Sequence, residues 1–158
     1  MPITLPRGRF YGPTLKAGAL AGVAGGVAEI AWVIAYGTIS GTGIAAVARG
    51  VTHAVLPAAA GTALAVPLGV AIHMALAVAL GVALAVALGP LFARTRPALA
   101  GPAAVIAALV TIWAVNVFAV LPALDPSFLQ LLPLAATLAS KTLFGAAAAA
   151  VLARARNR

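Results

Sequence analysis

Two side chains of opposite charge lie inside long apolar runs of this sequence, Glu29 in the first run and Lys141 in the last. A charge in hydrocarbon is costly, so such groups either pair across a protein interior or line a water-filled path. The two intervening runs each add one polar group, His73 and Asn116. Glu29 comes thirteen residues after Lys16, and Lys141 comes thirteen before Arg154. At the rise of a helix both fall about 20 Å from those flanking basic residues, so carboxylate and ammonium meet at one depth if the first and last runs are antiparallel helices. Asn116 comes out at a similar height and His73 about one turn further along. Glu29, His73, Asn116 and Lys141 are therefore expected to form one intramembrane polar layer. Its chemistry is either a buried ion pair that fixes helix register or a proton or ion relay, with Glu29 as carrier and Lys141 as counter-charge.

The remaining groups offer less. His53 and His73 are imidazoles that in principle ligate a haem iron or a metal ion. The chain has no cysteine and only two acidic residues, and the histidine spacing fits no metal motif, so no cofactor is expected. Arg49 and His53 are four residues apart and share one helix face, a candidate contact on the outer surface for an anionic lipid head group or a partner protein. No nucleophile and base pair, glycine-rich phosphate loop or carboxylate dyad is present, which points away from catalysis.

The elements that position these residues are helices in lipid. Hydrophobic residues make up 64% of the 158 and charged residues 8%, with a mean hydropathy of +1.14, a balance that belongs in a bilayer. A spanning helix needs roughly 20 apolar residues, and four stretches qualify, about 14–37, 62–89, 98–121 and 134–154. The expectation is an all-α membrane protein, a four-transmembrane-helix bundle forming a single membrane domain over 1–158. Gly18, Gly22 and Gly26 step by four and strip one face of the first span, and Glu29 follows on that face. Gly69, His73, Ala77 and Gly81 make a similar face on the second, beside a row of Ala71, Ala75, Ala79, Ala83 and Ala87, and Thr137, Lys141 and Gly145 make one on the fourth. Gly89 and Pro90 are expected to end the second span.

Between the first two spans, Ile44, Val47, Val51 and Val55 recur at helical spacing opposite Arg49 and His53. This predicts a short amphipathic interfacial helix over about 43–56, capped at its start by Ser40 or Thr42. Residues 1–13, with three prolines, read as an extended arm, and Asp125 before Pro126 reads as a helix N-cap in the last loop.

The net charge of +8 is spread over the ends of apolar runs and forms no stripe suited to nucleic acid. Arg7, Arg9, Lys16, Arg94, Arg96, Arg154, Arg156 and Arg158 fall on one side and only Arg49 on the other, which puts both termini in the cytoplasm. The wealth of Ala, Gly, Val, Leu and Arg suits a bacterial inner membrane.

The stretch Gly25-Gly26-Val27-Ala28-Glu29 in the first span resembles small multidrug resistance exporters, and the resemblance implies a glutamate that binds protons and cationic drugs in turn, a role that transfers to Glu29 alone. Those exporters are shorter and have no lysine facing that glutamate. A second likeness joins Ala48-Arg49-Gly50-Val51-Thr52, Pro57 and Ala71-Ile72-His73 to small uncharacterised four-span bacterial membrane proteins, which implies a fold and no activity. The leading expectation is a non-enzymatic accessory subunit packed against larger membrane subunits, a respiratory assembly among the candidates. A small proton- or cation-coupled transporter using Glu29 is the alternative.

Overall fold

The computed structural model describes residues 11–94 and 100–156. It is all-helical. Helix α1 runs Tyr11–Ser40, α2 Ile44–Val55, α3 Ala65–Arg94, α4 Ala100–Val115, α5 Leu121–Leu124 and α6 Leu134–Arg156. Four segments are long and apolar enough to cross a membrane: Gly12–Ser40, Ala65–Gly89, Gly101–Leu124 and Leu134–Ala155. Only 33% of the first and fourth and 22% of the second and third is buried within the chain, so most of each span faces its surroundings with side chains such as Leu20, Val27, Leu76 and Phe118. Water would not tolerate that surface and acyl chains do, which makes this an integral membrane protein with four spans.

Helix α1 is the centre of the bundle, packed on one side against α3 and on the other against α6, while α4 packs on α6 and α2 on α3. Glycine makes the α1–α3 contact possible. A methyl group at Gly18 would stand 2.7 Å from the Val82 Cα, and one at Gly22 would strike the Ala77 carbonyl and stand 2.6 Å from the Val78 Cα. Gly81 of α3 meets the backbone of Gly18 and Gly22 in return, so the two main chains touch. Gly25 opens onto α6, where the ring of Phe144 fills the space and is fully buried. Gly145 lies against Ile106 and Leu109 of α4.

Helix α2 docks on the first part of α3 through its small side. Gly69 lies against the Ala48 carbonyl, and the buried Thr52 hydroxyl donates to the Ala65 carbonyl at 2.6 Å. Val47 and Val51 are half-buried while Ile44 and Val55 are exposed. The valine stripe is thus not the docking face, because close approach of two backbones selects Ala48 and Thr52 instead.

Several local expectations change. Helix α1 already includes Tyr11, Gly12 and Pro13, which the sequence placed in the arm. The rest of the expected arm, residues 1–10, lies outside the described residues. Ser40 and Thr42 do not cap α2. Their hydroxyls bond each other at 2.8 Å, and Gly43 is the N-cap after Gly41 turns the chain with φ +75. Gly89 and Pro90 do not end α3, which continues to Arg94. A proline there removes one backbone bond near a terminus, a loss a long helix tolerates.

Candidate functional site

Glu29 follows Gly25 and Gly26 on the turn of α1 that faces both neighbours, and helix α6 brings Ser140 and Lys141 to it. The Lys141 Nζ stands 2.8 Å from Oε1 and 3.0 Å from Oε2 of Glu29. The Ser140 hydroxyl donates to Oε1 at 2.9 Å. Glu29 is 3% exposed, so this carboxylate has left solvent and takes its hydrogen bonds from protein. Lys141 also lies over the Phe144 ring, 5.5 Å from its centre.

Helix α3 adds His73 on the open side of the pair. Its Nε2 lies 3.8 Å from Glu29 Oε2, beyond hydrogen-bond reach, and is buried with no hydrogen-bond partner among the described residues. One turn away along α6 the bundle is tied again. The Trp32 indole donates to the Ala136 carbonyl at 2.9 Å, and the Trp113 indole donates to the Thr137 hydroxyl at 3.0 Å. These bonds join α1 and α4 to α6 and fix the rotation that aims Lys141 at Glu29.

Asn116 does not join this cluster. The partners of Glu29 are Lys141, Ser140 and His73, whereas half-buried Asn116 opens a π-helical turn, Asn116–Val120. The cause is local. Pro122 cannot donate to the helix and its ring crowds the preceding turn, so the ladder slips and the Leu121 N–H reaches back to the Asn116 carbonyl. That slip follows Asn116 and changes the rotation of the residues after it, up to Leu121. Ser140 takes the place expected of Asn116, and the signal for it was the second lone pair of Glu29, which needs a donor next to Lys141.

A second polar cluster lies at the α2 end of the bundle. Asp125 caps the 3₁₀ turn Pro126–Gln130 by accepting from the Ser127 N–H at 3.1 Å and from the Ser127 hydroxyl. Its other oxygen accepts from His53 Nδ1 at 2.8 Å, joining α2 to the loop between α5 and α6. The sequence marked the cap and missed the histidine. The hydroxyl of Ser127, then His53, hold the Asp125 carboxyl below its ordinary value of 3.8. A depressed folded value means that the clasp contributes fully above the unfolded value and is lost as pH falls through the folded one. Protection of the Ser127 amide against hydrogen exchange should therefore persist at neutral pH and be lost only as the pH falls below 3.8 through the lowered folded value; equal protection in Asp125→Asn at neutral pH would show that the clasp does not hold this turn.

Arg49 and His53 line a depression of about 220 Å³ with Asp125 and Ser127. Each of the two acidic residues thus stands beside one of the two histidines, and the histidines belong to different clusters. Among the described residues no three His, Asp or Glu side chains gather where a metal ion could be held. Comparison of the chain with known families, with curated proteins and with solved structures gives no match.

Proposed function

We propose that this chain is a small non-enzymatic subunit of the bacterial inner membrane, with both termini cytoplasmic, that packs against larger subunits of a membrane assembly. The saturated Glu29 carboxylate carries this view. Lys141 neutralises it through both oxygens and Ser140 adds a further bond, so the intramembrane charges serve to lock α1 against α6. The lopsided Lys/Arg distribution supports the orientation. A surface for a partner helix is on hand in Ala71, Ala75, Ala79, Ala83 and Ala87, which lie exposed along α3 while the glycines are consumed inside the bundle. Purification from native membranes in a mild detergent should recover the chain with larger polypeptides in constant ratio. A lone monodisperse protein across several mild detergents would remove the idea.

One observation favours a proton-coupled transporter instead. His73 presents a buried, unpartnered Nε2 to Glu29, and the His73 and Lys141 side chains are 27% and 22% exposed, so the cluster is open on that side. A proton shared between His73 and Glu29 would compete with Lys141 for the carboxylate. In that case Glu29→Gln should abolish proton-coupled flux in proteoliposomes while the purified protein keeps its helix content. Equal flux in the variant and the wild type would sink this alternative.

A further inference from the structure

The depression beside α2 combines features that the Glu29 layer does not use. Arg49 is exposed and makes no ion pair among the described residues. His53, one turn on, has its Nδ1 committed to Asp125, which fixes the ring and turns Nε2 away from the carboxylate. Asp125 is itself 4% exposed and its carboxylate is bonded to Ser127 and His53, so it orients the imidazole while its charge is taken up by those donors. Gly50 lies against Phe128 and Leu131, which draws α2 onto the loop, and Gly50 and Leu131 line the depression. The result is a guanidinium and a held imidazole lining an open, shallow depression of about 220 Å³.

Its surroundings identify the depth. Ile39, Val55, Leu56, Leu64 and Leu124, at the same end of the spans, are all large, apolar and exposed. Such side chains belong where acyl chains begin, and Arg49 and His53 lie on the short helix at that same end of the spans, where a lipid head group is within reach. A guanidinium matches a phosphate with two parallel N–H bonds, and the imidazole held by Asp125 stands one helical turn away with its second ring nitrogen left for a polar contact.

We infer that Arg49 and His53 form a binding site for a phosphate ester, the head group of an anionic phospholipid, with Asp125 as the positioning residue for His53. The lipid phosphate bridges α2 to the loop after α5 and holds the interfacial helix at the membrane surface.

The full chain in mild detergent, offered phosphatidylglycerol and phosphatidylcholine in equal amounts and examined by native mass spectrometry, should retain the anionic lipid preferentially. Arg49→Gln should lower that preference roughly tenfold and Arg49→Lys should restore part of it. In parallel, ring signals of ¹³C-labelled histidine are followed in nanodiscs of either lipid, and in detergent with added inorganic phosphate. A His53 shift with phosphatidylglycerol and none with phosphatidylcholine supports the lipid source. A shift with inorganic phosphate and none with either lipid keeps the phosphate chemistry and overturns the lipid. Equal retention of both lipids in wild type and Arg49→Gln, with His53 unmoved by any probe, overturns the site. Arg49 is exposed and makes no ion pair among the described residues, so loss of fold is not expected, and unchanged thermal unfolding of Arg49→Gln checks this.

Discussion

Replacing Lys141 with methionine should lower the stability of the bundle by about 3 kcal/mol, because it strands the Glu29 carboxylate in a site 3% exposed to solvent. Polar bonds between spanning helices average only about 0.6 kcal/mol, so the size of the loss comes from the charge left behind and not from the bond removed. The same logic makes the double variant informative. Glu29→Gln with Lys141→Met removes both charges and leaves Ser140 a neutral acceptor at its present distance of 2.9 Å from the carboxylate. Most of the lost stability should return. Unfolding in mixed micelles with rising denaturing detergent, followed by helix signal, gives the four free energies of the cycle. If the two single losses simply add in the double variant, the pair is not coupled and its role as a lock fails.

Gly22→Ala should cost about 2–3 kcal/mol, near the top of the range for overpacking, because the new methyl group meets backbone and not a movable side chain. Its neighbours across the contact are the Ala77 carbonyl and the Val78 Cα, which move only if α1 and α3 separate. Gly89→Ala is the control. A methyl group there meets no atom of another element within 4 Å among the described residues, so the substitution should be neutral or gain about 0.5–1 kcal/mol from a stiffer helix. Both are read in the same micelle titration. A Gly22→Ala protein as stable as the wild type would mean that the α1–α3 main chains do not touch. Separation of those helices also moves Glu29 away from His73, so a Gly22 variant should change the environment of the His73 ring even where the Lys141 pair survives.

What the sequence determined by itself is the part governed by local chemistry. Apolar runs long enough to cross a bilayer and the amphipathic spacing of 44–55 give four spans and one short helix, because hydrophobicity and helical period are written in consecutive residues. Asp125 before Pro126 announced its cap for the same reason. Lys141 and Glu29 were legible as a pair because equal counts from flanking charges give equal depths on straight helices. Tertiary structure decided the rest, wherever rotation about a helix axis or a break in its regularity matters. Asn116 opens a π-helical turn before Pro122 and is not among the groups that meet Glu29, whereas Ser140 is there because the α1–α6 rotation presents two adjacent side chains of α6 to one carboxylate. The His53–Asp125 bond joins residues 72 apart, and docking of α2 through Ala48 and Thr52 depends on how closely Gly69 lets two backbones approach. Each residue along a helix turns its side chain by about 100°, so the hydropathy of a span fixes how deep a group sits and leaves its facing partner to the packing of the whole bundle.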